Sequence, residues 1–117
     1  MRFLSLVRFN ESGGKKPDQR LVDDMTQLIT EMTADGTLLD TAGLRPTSEG
    51  KRVRLSYGKQ SVSDGPFTES KEVIGGYALL KADSMKHALQ LTKCFLDVHG
   101  DEWDVECELR QIVPACG

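Results

Sequence analysis

Asp64-Gly65-Pro66-Phe67-Thr68-Glu69-Ser70-Lys71-Glu72 runs on without a break into Val73-Ile74-Gly75-Gly76-Tyr77. The stretch holds a sharp Gly-Pro turn, an acid-base-acid run and a Gly-Gly pair inside an apolar segment. Turn residues followed by a β-favouring run mark the exit from one strand and the start of another. Upstream, residues 52–57 alternate, with Val53, Leu55 and Tyr57 on one side and Arg52, Arg54 and Ser56 on the other. Gly58-Lys59, glycine first, predicts a two-residue type II′ hairpin turn, and Gln60 to Ser63 form the return strand. Downstream, residues 73–81 read as a strand of the main sheet.

Working outward, residues 2–9 are compact and β-favouring and predict a first strand. A Gly-rich polar loop, residues 10–16, leads to Pro17 at the first helical position, with Asp18 in the first turn. Leu21, Val22, Met25, Leu28, Ile29 and Met32 then share a helical face, and Gly36 supplies the stop. Residues 37–44 predict a short strand. After residue 81, Asp83 or Ser84 caps a second helix whose inward stripe is Met85, Ala88, Leu89, Thr92, Phe95 and Leu96, ended by Gly100. Trp103 to Val113 alternates, with Val105, Cys107 and Leu109 against Asp104, Glu106, Glu108 and Arg110. The order β-α-β, hairpin, β-α-β is an α+β, ferredoxin-like split β-α-β with an added hairpin. Two helices cover one sheet face. The other face is either solvated or packed on a second copy, and the expectation is a homodimer.

The totals bound the function. With 117 residues, 28% charged and 38% hydrophobic, the expectation is one globular domain over 1–117. A net charge of −3 argues against nucleic acid as a partner. No stretch approaches membrane-spanning length. Cys94, Cys107 and Cys116 show no metal-ligand spacing, and an odd count suits a reducing cytoplasm. With two separated histidines, no metal and no organic cofactor is expected.

The chemistry-bearing residues cluster at the opening stretch and the second helix. Asp64 either accepts backbone N–H groups in the turn or faces a ligand as a proton carrier. Glu69, Lys71 and Glu72 are either solvated or an orienting set. Gly75-Gly76 needs a bulge or a close approach, by backbone or by ligand. Tyr77 carries a phenol that a buried site must satisfy. His99 falls at a helix C-terminus, as a cap or as a general base. His87 lies on the outer side. Arg2, Arg8 and the last strand's carboxylates predict cross-strand ion pairs.

The run Asp64-Gly65-Pro66-Phe67-x-Glu69-x-Lys71-Glu72, then Gly75-Gly76-Tyr77, resembles the signature of the DGPF proteins, a group within the YCII-related domain family. Gly43-Leu44-x-Pro46 and Val105-Glu106 are also similar. The resemblance implies a ferredoxin-like protomer pairing sheet to sheet as a dimeric α/β barrel. It implies small bacterial proteins mostly without an assigned activity, some found near extracytoplasmic-function sigma factors, with cofactor-free enzymes on the same architecture. In the YCII branch a histidine of the first helix pairs with an aspartate; residues 17–35 here contain no histidine. Two functions follow as expectations. One is a cofactor-free acid-base enzyme on a small organic molecule, with Asp64 and His99 moving protons and Lys71, Gly76 and Tyr77 binding substrate. The other is a non-catalytic module for a small ligand or a protein partner, linked to sigma-factor regulation.

Overall fold

The computed structural model describes residues 1–11, 16–67 and 72–114. Among the described residues six strands and two α-helices follow in the order β1 (Arg2–Phe9), α1 (Gln19–Ala34), β2 (Leu38–Gly43), β3 (Lys51–Ser56), β4 (Lys59–Asp64), β5 (Val73–Lys81), α2 (Met85–His99) and β6 (Val105–Gln111), with a 3-10 turn at Thr47–Glu49. Four strands form a sheet in the order β2-β5-β1-β6, and β3 and β4 pair separately. Every pairing in the sheet is antiparallel. This is the ferredoxin-like α+β arrangement, with both helices on one face.

Alternation along the strands decides which side chains meet the helices. Phe3, Ser5, Ala78 and Leu80 are buried; Phe3, Ala78 and Leu80 join Leu38, Met32, Ala82, Ala88 and Phe95 in one core, with Met25, Leu28, Ile29, Leu91 and Leu109 packed around it. The opposite sheet face carries Leu4, Leu6 and Leu79, each half-buried. Arg8 there meets Glu108 at 3.2 Å, the expected pairing of β1 with β6.

The helix termini differ from expectation by one residue. Asp18 is the N-cap of α1, its carboxylate accepting the Leu21 N–H at 2.9 Å. Pro17 therefore precedes the helix instead of opening it; a short carboxylate that bonds an orphan N–H outcompetes proline's preset φ. Val22, Met85 and Leu89, assigned to the inward stripes, are exposed, because each helix buries a narrower strip than its apolar residues cover. The hairpin turn also shifts. Ser56 pairs with Lys59, so Tyr57-Gly58 are the turn residues, both with positive φ, +48° and +88°. That is the I′ handedness, which matches the strands' twist, and Tyr57 leaves the strand to stand fully in solvent.

Candidate functional site

Between the sheet and the helices lies a cavity of about 430 Å3. Its walls are apolar: Val7 from β1, Met25 and Ile29 from α1, Ala78 from β5 and Phe95 from α2. Its polar groups come from Ser5, Thr41, Cys107 and His99. A mostly apolar hollow with a few convergent polar groups is the usual form of a small-molecule site, and this volume lies within the usual range.

The glycines of β5 shape this end of the sheet. Phe9 pairs with Val73 and Val7 with Gly76, leaving Gly75 as an extra residue in the ladder. A Cβ on Gly75 would stand 2.1 Å from the Phe9 ring, and one on Gly76 would stand 2.8 Å from the Ala42 carbonyl oxygen. The pair is thus required by packing: a bulge at Gly75 and the close approach of β2 at Gly76. Thr41 in β2 donates its hydroxyl to the Tyr77 carbonyl at 2.8 Å, leaving the hydroxyl oxygen able to accept from a ligand.

His99 is held from three sides. Its Nδ1 lies 2.8 Å from the Phe95 carbonyl oxygen. A carbonyl only accepts, so Nδ1 carries the hydrogen and the neutral ring keeps its lone pair on Nε2. Trp103 packs edge-on against the ring, with centroids 5.8 Å apart and planes at 74°. Arg20 of α1 reaches across to donate to the Val98 and His99 carbonyls, each at 3.2 Å, closing the C-terminus of α2 where its dipole is negative. This cross-helix cap was not visible in the sequence, where Arg20 and His99 stand far apart.

Cys107 faces the same cavity. Burial pushes its thiol above the ordinary range, a hydrogen bond with Ser5 partly offsets that, and the Glu106 carboxylate adds to the rise. The thiol is therefore held protonated at neutral pH, a form able to act as a weak donor. The alternation of β6 had placed Cys107 inward, which was the signal available for it.

The remaining site residues of the sequence reading fall elsewhere. Tyr77 borders the cavity, but Ala78 and Leu80 take the helix side of β5, so its ring lies on the other sheet face. There its hydroxyl donates to Asp40 at 2.7 Å, and that bond, then burial, then the Asp40 charge hold the phenol above its usual range. Asp64 ends β4, exposed, with its carboxylate 2.5 Å from the Lys51 ammonium. Lys71 and Glu69 lie outside the described residues. The structure thus brings Gly76 and His99 together and leaves Asp64 and the Tyr77 phenol apart from them. His87 also proves structural, its Nδ1 accepting the Asp83 N–H at 3.1 Å while its own N–H bonds the Ser84 hydroxyl.

The Asp-Gly-Pro-Phe turn is a clasp. The Gly65 N–H donates to the Gly50 carbonyl at 3.0 Å, and the Phe67 N–H to the Thr47 hydroxyl at 3.3 Å. Thr47 in turn bonds the Glu11 carboxylate through its hydroxyl and its N–H. The Arg52 guanidinium lies 3.8 Å above the Phe67 ring, a cation–π contact. Among the described residues no cluster of three His, Cys, Asp or Glu could hold a metal ion, and no helix is long and apolar enough to cross a membrane.

A family model described as the YCII-related domain matches residues 1–94. An uncharacterised protein of Rhizobium meliloti (strain 1021) is 33% identical over 79 residues, a stretch covering 68% of this chain and 64% of that relative's own length.

Proposed function

Because the chain belongs to the YCII-related domain family and its helices and sheet pack around one core, we propose that the cavity between them binds a small, largely apolar organic molecule. Within the family we place the chain with the members that carry the Asp-Gly-Pro-Phe run, and in the cytoplasm, where three cysteines without metal-ligand spacing remain thiols. The observation that carries the reading is His99 at the wall of a 430 Å3 apolar cavity. Its Nδ1 is engaged by the Phe95 carbonyl and its ring is fixed by Trp103. A histidine tied at one nitrogen presents the other as a proton acceptor of fixed position. Thr41 and Cys107 supply hydrogen bonds to one polar group of the ligand, and the walls take its apolar body. The reaction class this arrangement supports is a cofactor-free proton transfer on carbon or oxygen.

One observation favours a second reading, binding without turnover. Among the described residues no carboxylate lines the cavity, and Asp64 stands outside it, so His99 has no carboxylate partner there. In that case the cavity is a sensor pocket, and any regulatory link belongs to this reading.

The experiment is a screen of small cyclic and aromatic acids, ketones and lactones by melting shift. It uses the native chain, Ile29→Trp, which fills the cavity, and His99→Gln. Ligand shifts in the native chain that vanish in Ile29→Trp support the site. Turnover lost in His99→Gln with binding retained supports the enzyme, and binding with no turnover in either chain selects the sensor. Shifts that persist undiminished in Ile29→Trp would sink the cavity assignment.

A further inference from the structure

Strands β3 and β4 pair only with each other among the described residues, as a two-stranded arm. At its foot the Asp-Gly-Pro-Phe turn is clamped onto the loop after β2. The Gly65 and Phe67 N–H groups donate to Gly50 and Thr47 there, and the Thr47 carbonyl oxygen stands where a Cβ on Gly65 would fall. This clamp sets the half-buried Phe67 ring as one wall of a cleft of about 380 Å3. The cleft shares no lining residue with the cavity of His99, and its volume lies in the range of small-molecule sites. Its floor is apolar, from Leu44 and Pro46 of the loop and Val73 and Ile74 of β5. Leu44 and Ile74 are left 53% and 43% exposed, and apolar surface with polar groups around it marks a binding groove.

Three guanidiniums stand around that floor, from Arg8 of β1, Arg45 of the loop and Arg52 of β3, and the carboxylate among the lining residues is Glu72. The Arg52 guanidinium lies 3.8 Å over the Phe67 ring, a contact that holds its donors at the cleft wall. Arg8 reaches Glu108 through Nη1 at 3.2 Å; a guanidinium carries several N–H donors, so this bond orients the group without consuming it. Arg45 pairs with Glu49 through Nε and Nη2. Those side chains are 82% and 51% exposed, and an ion pair so solvated is exchanged for another oxyanion at little cost. Neither Glu49 nor Glu108 lines the cleft. We propose that this cleft binds a small organic anion, its carboxylate or phosphate head held by Arg8, Arg45 and Arg52 and its apolar body laid on Leu44, Ile74 and the Phe67 ring. Guanidinium forks match either head, and an apolar body covers the side chains now left to solvent. The Asp-Gly-Pro-Phe turn then acts as the scaffold of a ligand wall, and the inference stands or falls separately from the cavity of His99.

The test titrates benzoate, phenyl phosphate and, as the neutral control, benzyl alcohol into the full chain, followed by NMR of backbone amides and arginine Nε groups. At least one anion should bind saturably with a Kd of about 1 mM or tighter, moving the Thr47 and Phe67 amides and the Nε signals of Arg8, Arg45 and Arg52. Benzyl alcohol should move none of them, and the tighter anion identifies the head group. Arg45→Gln and Arg52→Gln should each weaken binding about tenfold, the loss of one charge-assisted hydrogen bond. Added salt should weaken it as well, whereas Ile29→Trp, which fills the other cavity, should leave it unchanged. No saturable binding of either anion, benzyl alcohol binding as tightly, or full affinity in both arginine variants would overturn the proposal. So would shifts confined to the cavity of His99 and lost in Ile29→Trp. Should an arginine variant fail to fold, the shift map on the native chain decides.

Discussion

At position 65 even a methyl group meets the backbone. A Cβ there would stand 1.6 Å from the Thr47 carbonyl oxygen, and neither partner is a side chain that can turn away. Gly65 is not among the glycines with positive φ, so the demand is for close approach, not for a left-handed conformation. Gly65→Ala should therefore cost about 2 kcal/mol, a typical overpacking cost, read as a lowered melting temperature. Asp64→Asn removes an ion pair whose side chains are 66% and 75% exposed. Exposed pairs contribute less than about 1 kcal/mol, so this variant should melt close to the native chain; an equal loss from both would show that the Asp64 carboxylate itself closes the turn. Tyr77 offers a pH test. Its phenol is raised above 10.0 by the Asp40 hydrogen bond, then burial, then the Asp40 charge. A raised value means that the folded chain holds the proton more tightly, so the added stability is present below pH 10.0 and is lost as pH rises through the folded value. In a Tyr57→Phe background, phenolate absorbance should report this late titration, and Asp40→Asn should bring it earlier. No change on Asp40→Asn would refute the assignment.

Helix α2 shows how an element places a functional group. Ser84 accepts the His87 N–H at its start, His87 returns the bond to Asp83, and Arg20 closes the far end from α1. Loss of an N-cap hydroxyl costs about 1 kcal/mol, so Ser84→Ala should lower thermal stability by that amount while sparing any ligand shift. Arg20→Met leaves the helix start intact but frees the carbonyls around His99. It should weaken ligand binding or turnover more than its melting temperature suggests. Equal loss of ligand response in the two variants would remove the positioning role from Arg20. Both helices were legible from apolar spacing and caps, because those signals are local. The Arg20 cap was not, because it joins residues that only packing brings together.

For the whole molecule the arm is separable. Lys51 and Asp64 are register partners, so residues 52–63 can be replaced by Asn-Gly without altering the spacing of the chain ends that carry them. The shortened chain should keep a cooperative melt within a few degrees of the native one, read by circular dichroism. A shortened chain that fails to fold would show that the arm supports the sheet.

The element order, the antiparallel ferredoxin-like sheet, the alternation of β6 and the need for a bulge or a close approach at Gly75-Gly76 could be read from the residues alone. Each rests on a short-range rule: the two periods of side-chain direction, and the exclusion of Cβ where chains crowd. What the tertiary structure alone decided was which polar groups meet. It put His99 and Cys107 on one cavity and left Asp64 paired to Lys51 at the foot of the arm. It also moved the hairpin turn to Tyr57-Gly58 and sent the Tyr77 phenol across the sheet to Asp40. A side chain's chemistry is written in its type, but its partners depend on strand register, where a shift of one residue exchanges the two faces of a sheet.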